Sequence, residues 1–281
     1  MIQAIFFDID GTLVTRKNHV LASTQQSIQI LKENGYKIGI ATSRGPNQLP
    51  KEVSELPIDF YVCFNGQYII DQCYHRLYCH PLEEKILHKV KQYQKAQHIQ
   101  GIWQGVEEEK GSLFMRFAQS SVFLPLVHQM KRYIPNVVLQ GCYQLRRGAP
   151  ASVPKIQGKI YQITLLQPQS EDESLQKEVK EATITRSNPF TVEIIQKGHS
   201  KKRGIEEVLQ AHQMGLEHLL FFGDSYNDLE VMKSKAIGVA MGNGIPELKE
   251  VCDYVTKHHD EHGIYHALEH FGLLEKRRDE E

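Results

Sequence analysis

The chain has no apolar run of about 18 residues, the length a bilayer-spanning helix requires, so no membrane span is expected. It also lacks an excess of charge of one sign. Lys and Arg number 33 against 34 Asp and Glu, a net charge of −1. No global positive field exists to hold a phosphate backbone, and nucleic acid is not an expected partner. Cysteines are few and odd in number, five in all, and none stand as Cys-x-x-Cys. That argues against a disulfide framework and for reduced thiols in a cytoplasmic protein. Met1 leads directly into Ile2-Gln3-Ala4-Ile5-Phe6-Phe7, without a basic stretch or a small-residue cleavage site, so no secretory signal is expected. Internal repeats and low-complexity tracts are missing as well.

What is present is ordinary globular material. Hydrophobic residues make up 41% of 281, enough for one large or two medium domains. Both ends of the chain alternate strand and helix. Ala4 to Phe7, Lys37 to Ala41, Phe60 to Phe64, His218 to Phe222 and Ala236 to Ala240 are continuous apolar runs, the mark of strands buried on both faces. Ser23 to Asn34 is helical, with Gly35 at the C-terminal cap position. Ile205, Val208 and Leu209 form the apolar stripe of a second helix between Lys201 and Met214, and a short helix runs from Asp228 to Ser234. Such alternation implies an α/β fold with a Rossmann-like parallel sheet.

The middle of the chain differs. Ile86, Leu87, Val90 and Tyr93 form a helical stripe, as do Phe123, Leu126, Val127 and Met130. Ile102-Trp103-Gln104 and Leu113 to Phe117 read as a hairpin across Glu107 to Gly111. Ile160 to Leu166 reads as a strand, and Leu175 to Val179 lies in a further helix. This is an α+β layer with helices on one face of an antiparallel sheet. The expected division is a discontinuous domain of residues 1–82 and 192–281, with residues 83–191 as an inserted α+β domain. The stretch from Gln67 to His80 superficially offers metal ligands at Cys73, His75, Cys79 and His80. Its alternation and polar middle at Asp71-Gln72 read better as a hairpin.

Two strands end in acids. Phe6-Phe7-Asp8-Ile9-Asp10-Gly11 places two carboxylates at the end of a buried strand, costly unless paired or metal-bound. Asp-x-Asp-Gly also fits a simple Asx turn. Phe221-Phe222-Gly223-Asp224-Ser225-Tyr226-Asn227-Asp228 repeats the pattern, although Asn227 or Asp228 also suits a helix cap. Side by side in one parallel sheet, the two strands would bring Asp8, Asp10 and Asp224 to one edge. Three hard oxygen donors of that kind suit Mg²⁺. Thr42-Ser43-Arg44 ends another strand at the same edge, with capping as the plainer reading of its hydroxyls. Lys201 opens a helix, where a cation opposes the dipole unless an anion lies near.

Asp8-Ile9-Asp10-Gly11-Thr12, Thr42, Lys201 and Gly223 to Asp228 together resemble the four ordered motifs of the haloacid dehalogenase superfamily. Over essentially its full length the chain is similar to the Cof-type sugar-phosphatase branch. Ala41-Thr42-Ser43-Arg44 resembles that branch's Ala-Thr-Gly-Arg, with Ser43 in place of glycine. Asn65-Gly66, Lys197 to Lys201 and Gly238 to Asn243 also match. The resemblance implies an α+β cap inserted in the core, and a Mg²⁺-dependent phosphatase acting on small phosphorylated metabolites. Asp8 would be the nucleophile that becomes an aspartyl-phosphate. Asp10 would be the acid and base. Asp8, the Asp10 carbonyl and Asp224 would bind the metal. Thr42, Ser43, Lys201 and Asn227 would hold phosphoryl oxygens, and Asp228 would either contact the metal through water or orient Lys201, a supporting role either way. Sugar phosphates are the leading substrate class, with flavin or pyridoxal phosphates behind them. A phosphomutase using the same intermediate and a non-catalytic phospho-ligand sensor are the alternatives. Trp103, Met115, Arg116, Tyr161 and Arg146-Arg147 receive no role. Asn243 is expected to shape a nearby loop, and His258-His259 to lie on the surface.

Overall fold

A computed structural model describes residues 1–111 and 158–275. The expected strand at 113–117, the helical stripe at 123–130, and Met115, Arg116, Cys142 and Arg146-Arg147 lie outside the described residues. Two units divide the chain: Met1–Cys79 with His199–Glu281, and His80–Gly198.

The first unit is built on an eight-stranded sheet. Its strands are β1 (Ala4–Phe7), β2 (Lys37–Ala41), β3 (Phe60–Cys63), β4 (Tyr68–Asp71), β5 (Arg76–Cys79), β11 (Leu219–Gly223), β12 (Ile237–Ala240) and β13 (Tyr254–Val255). Their order is β13-β12-β11-β1-β2-β3-β4-β5. The six from β13 to β3 are parallel, and β4 and β5 add an antiparallel edge. The expected hairpin over 67–80 is thus present, and the Asp71 carboxylate accepts from the Cys73 and His75 amides in its turn. The order reverses between β1 and β11, and the crevice at the carboxyl ends of strands at such a point is where ligands bind in open α/β sheets. Phe7 pairs in register with both Ile40 and Phe222, so β1, β2 and β11 end level with one another.

Successive side chains of a strand point to opposite faces, and both faces here are apolar. Phe6 and Phe221 pack with Ile205, Val208 and Leu209 of helix α5 (Lys201–Ala211). Phe7 and Phe222 stack 4.9 Å apart. All four rings are fully buried, each contributing about 1.5–3 kcal/mol. Helix α1 (Ala22–Glu33) buries Ile28 and Leu31 and ends at Asn34, with Gly35 left-handed at φ 80° as its cap position implied.

The second unit holds an antiparallel sheet of β6 (Gly101–Gly105), β7 (Glu109–Gly111), β8 (Ile160–Leu166), β9 (Ala182–Asn188) and β10 (Thr191–Gln196), ordered β7-β6-β8-β10-β9. Helices α3 (Glu84–Gln97) and α4 (Asp172–Glu178) bury Ile86, Val90, Tyr93 and Leu175 against Trp103, Ile163, Leu165, Val192 and Ile194. Trp103 donates its indole N–H to Gln94 at 2.7 Å, which satisfies the polar atom of a buried ring. Two boundaries differ from expectation. The first hairpin turns at 106–108, since β7 pairs with β6 as far back as Glu109. Residues 192–196, assigned above to the core, belong to β10, which the ladders to β8 and β9 hold in this sheet.

The chain leaves the first unit after Cys79 and re-enters it at His199. There Tyr78 and His199, one beside each crossing, share a hydrogen bond of 3.0 Å.

Replacing Phe222 by alanine removes one half of the Phe7 stack and opens a cavity in a fully buried layer. A loss of about 3–5 kcal/mol is expected, read from urea unfolding followed by far-ultraviolet circular dichroism.

Candidate active site

The site is built at the level ends of β1, β2 and β11. Asp8 follows β1 directly and its amide donates to the Phe222 carbonyl at 2.9 Å, so the sheet ladder itself fixes its backbone. Lys201 sits in the first turn of α5, where Ser200 caps the helix by accepting from the Arg203 amide. The Lys201 side chain is 0% exposed, and its ammonium lies 2.8 Å from Asp8 Oδ1 and 2.8 Å from Asp228 Oδ1. A cation at a helix N-terminus is thereby stabilised by two carboxylates. The other oxygen of Asp228 accepts from the amides of Asp224 and Ser225, each at 3.0 Å. Asp228 makes no cap bond to the helix that follows it; one oxygen reaches back to complete a capping box with Ser225, and the other pairs with the ammonium.

Asp224 stands opposite, with Thr12 donating to its Oδ1 at 3.5 Å. Its Oδ2 meets no donor among the described residues. Gly11 runs beside it at φ 80°, and a Cβ there would come within 2.2 Å of Asp224 Oδ2, so only glycine fits. Asn227 is buried; it accepts from the Ser225 hydroxyl at 2.7 Å and donates to Asn65 Oδ1 at 3.0 Å. Thr42 is buried, and its hydroxyl oxygen accepts from the Arg44 amide at 3.1 Å. Ser43 lies half-buried in the same turn.

Asp10 departs from the cluster. Its side chain is 54% exposed and turned to Arg44, which donates Nε to Oδ2 at 2.8 Å and Nη2 to Oδ1 at 2.6 Å. A third guanidinium bond to the Gln48 carbonyl, at 2.9 Å, fixes the fork. Arg44 carries no role in the sequence reading, although it directly follows Thr42-Ser43 at the same sheet edge. Asn65 and Ser225 were likewise unassigned. Asn243 donates to the Gly11 carbonyl at 2.7 Å and accepts from the His259 amide at 3.0 Å. It thus ties the loop after Asp10 to the loop at 258–260. His259 departs from its expected surface position: its ring is largely buried and donates from Nδ1 to the Val14 carbonyl at 2.7 Å.

The electrostatics follow from this crowding. Burial pushes the Asp8 carboxyl up from 3.8 to about 7; Lys201 opposes that, and Asp228 and Asp10 reinforce it. Asp224 is raised well above the carboxylate range by burial and then by Asp8 and Asp228. Burial disfavours the Lys201 charge, but Asp228 and Asp8 outweigh it and hold the ammonium above the usual lysine value. Desolvation would raise Asp10, and the hydrogen bonds and charge of Arg44 overcome it and keep the group below its usual value. Four carboxylates, of Asp8, Asp10, Asp224 and Asp228, thus face two cations, Lys201 and Arg44.

A hard divalent cation would balance that excess. Oxygens of Asp8, Asp224 and Asp228 lie within 4.8 Å of one another, and the Asp224 oxygen without a donor completes an acceptor-only cluster. Carboxylate oxygens at this spacing fit an ion such as Mg²⁺. Asp228 has both oxygens engaged, which leaves Asp8 and Asp224 as the available side-chain ligands.

The sequence pattern of the haloacid dehalogenase-like hydrolases matches residues 5–268. The chain belongs to that family. It is 30% identical to the "Putative phosphatase YkrA" of Bacillus subtilis (strain 168) over 272 residues, 96% of this chain and 98% of that one. It is 25% identical over 280 residues to the 5-amino-6-(5-phospho-D-ribitylamino)uracil phosphatase YcsE of the same organism, covering 97% and 96% of the two chains. Among solved structures, the subclass IIB sugar phosphatase BT4131 superposes with a TM-score of 0.76 at 26% identity, covering 96% of this chain and 99% of that one. No helix among the described residues is long and apolar enough to cross a membrane.

Lys201→Met would leave Asp8 and Asp228 buried without their shared cation. The metal-free variant is expected to lose about 3–5 kcal/mol at pH 8. The deficit should shrink below pH 7, where the Asp8 carboxyl takes up a proton; parallel urea titrations at pH 8 and pH 6 measure it.

Proposed function

We propose that the protein is a Mg²⁺-dependent phosphatase that hydrolyses small phosphorylated metabolites through an aspartyl-phosphate on Asp8, with sugar phosphates as the leading class. Membership of the hydrolase family makes it a phosphoric monoester hydrolase; the cation, the intermediate and the substrate class are our reading. The observation that carries it is Lys201 held at 2.8 Å from both Asp8 and Asp228 at the point where the strand order reverses.

Asp8 Oδ attacks phosphorus, and the bond from phosphorus to the leaving oxygen breaks. Asp10 gives that oxygen its proton, then takes one from the water that attacks the acyl phosphate, releasing inorganic phosphate and free Asp8. As found, Asp10 is ionised and gripped by Arg44, so donation requires that pair to part; the resting arrangement suits the base step. Lys201, Thr42, Ser43 and Asn227 hold the phosphoryl oxygens. Thr42 still has its O–H to give, since it accepts from Arg44 and finds no acceptor among the described residues. Asp228 orients Lys201. Mg²⁺, held by Asp8, the Asp10 carbonyl and Asp224, would neutralise carboxylate–phosphate repulsion.

The inserted unit His80–Gly198 is the cap that selects the leaving group, and the protein works in the cytoplasm. Relatives act on a ribityl phosphate and on sugar phosphates by name, which supports a polyhydroxylated leaving group. No observation favours a mutase or a sensor. A panel of hexose and pentose phosphates, the ribitylaminouracil phosphate, flavin mononucleotide and pyridoxal phosphate, assayed for phosphate release, tests the substrate class. Turnover confined to the last two would displace sugars.

Asp8→Asn should lower hydrolysis of p-nitrophenyl phosphate with Mg²⁺ by about 10⁴-fold or more. Equal rates for variant and wild type would remove Asp8 from the mechanism. A pH dependence follows as well. Between pH 3.8 and about 7 the folded, metal-free chain keeps an Asp8 proton that the unfolded chain has released, so its stability falls as pH rises through that window. Mg²⁺ must displace that proton. The rise in melting temperature at a fixed Mg²⁺ concentration should therefore be larger at pH 8 than at pH 6, as read by differential scanning fluorimetry.

A further inference from the structure

The turn Phe64–Gly66, just after β3, is left-handed at three residues in succession: φ is 49° at Phe64, 51° at Asn65 and 95° at Gly66. Such backbone is uncommon outside glycine and persists where the surroundings over-determine it. Here the surroundings are the three segments that carry Thr42, Lys201 and Asn227. The Asn65 amide donates to the Thr42 carbonyl at 3.0 Å, and the Phe64 amide to the Arg44 carbonyl at 2.9 Å. Gly66 lies against the start of α5: a Cβ on it would stand 2.1 Å from the Ser200 carbonyl oxygen, and one on Gly204 would stand 2.6 Å from the Gly66 Cα. The Asn65 side chain, itself 1% exposed, accepts from Asn227 Nδ2 at 3.0 Å.

From this geometry we propose that Asn65 is a positioning residue that acts through Asn227, fixing its amide so that one N–H is aimed at a bound oxyanion. The inference rests on the phosphate-handling reading of that edge. The logic is a count of hydrogen bonds. Asn227 Oδ1 accepts from the Ser225 hydroxyl at 2.7 Å, which sets which end of the amide is oxygen. Of the two hydrogens on Nδ2, one is taken by Asn65. The other has no acceptor among the described residues. With Asn65 removed, the amide keeps only the Ser225 anchor and is free to rotate away. The backbone bond from Asn65 to Thr42 makes the same turn a strut between β2 and β11, so the spacing of the two anion-binding groups is set from behind rather than by the ligand.

The test uses Asn65→Gly in the full chain with Mg²⁺. Glycine keeps the left-handed backbone and removes only the amide. Two readouts are taken: kcat/KM for p-nitrophenyl phosphate, and the dissociation constant of tungstate, an oxyanion of phosphate's shape, by calorimetry. Both should worsen by about tenfold, the equivalent of one hydrogen bond, while the unfolding midpoint moves by no more than about 4 °C. In the Asn227→Ala background the same change should have no further effect on either. Wild-type tungstate affinity in Asn65→Gly, or losses that multiply in the double variant, would overturn the proposal. Should the glycine variant not fold, Ser225→Ala releases the same amide from its other side without touching the turn. It carries the same expectation and the same overturning results. If the wild-type protein releases no phosphate, the phosphatase reading fails by itself, and tungstate affinity still decides the role of Asn65.

Discussion

One ammonium group organises this site. Lys201 Nζ sits 2.8 Å from both Asp8 and Asp228, fully removed from water. An isolated charge so buried would be prohibitively costly, and so would either carboxylate alone. The three therefore hold one another, and the elements carrying them are held too. Asp8 comes from β1, Lys201 from α5 and Asp228 from the loop after β11. A single buried pairing thus fixes three stretches of chain far apart in sequence. The apolar faces of Phe6 and Phe221 place α5 at the sheet, and the ion pairs decide how its first turn is set against the strand ends.

Around that centre, each functional side chain is held by a neighbour that carries no chemistry of its own. Asp228 is clasped by two amides, Asp10 by the Arg44 fork, Asn227 by Asn65 and Ser225, and Gly11 by Asn243. Counting bonds from the described residues, Asp8 and Asp224 are the two of these carboxylates that keep oxygen capacity in reserve. Their raised affinity for protons expresses the same fact as their suitability for a metal: negative charge in this crevice exceeds what Lys201 and Arg44 neutralise. The Asp10 and Arg44 pair is the exception in character. It is bidentate but half in solvent, where such pairs hold modestly and release easily.

Much of this was legible in the chain alone, for a physical reason. Strands buried on both faces must be continuous apolar runs, so β1, β2, β3, β11 and β12 announce themselves, and acids ending such runs have few structural excuses. Asp8, Asp224 and Asp228 were reached in that way, and Lys201 from a cation set against a helix dipole; they do meet. What stayed hidden was pairing between segments. Nothing in Thr42-Ser43-Arg44 says that the guanidinium reaches Asp10 rather than solvent, because that depends on the level at which β1 and β2 end. The left-handed turn at Asn65 was marked only by an Asn-Gly pair, which also fits an ordinary turn. The limits of the inserted unit were misjudged at β10 because Thr191 to Gln196 reads equally well as a strand of either sheet. Only its ladders to β8 and β9 decide.

The contact between Tyr78 and His199 has a consequence for how such a chain can diversify. The two residues flank the excursion of more than a hundred residues that forms the second unit, yet they touch. The excursion therefore begins and ends at nearly the same point, and the first unit registers it as little more than a tight loop. Lengthening, shortening or exchanging that excursion would leave the ladder of β1, β2 and β11 undisturbed. Evolution can accordingly revise the excursion without renegotiating the strand ends that carry the acid cluster.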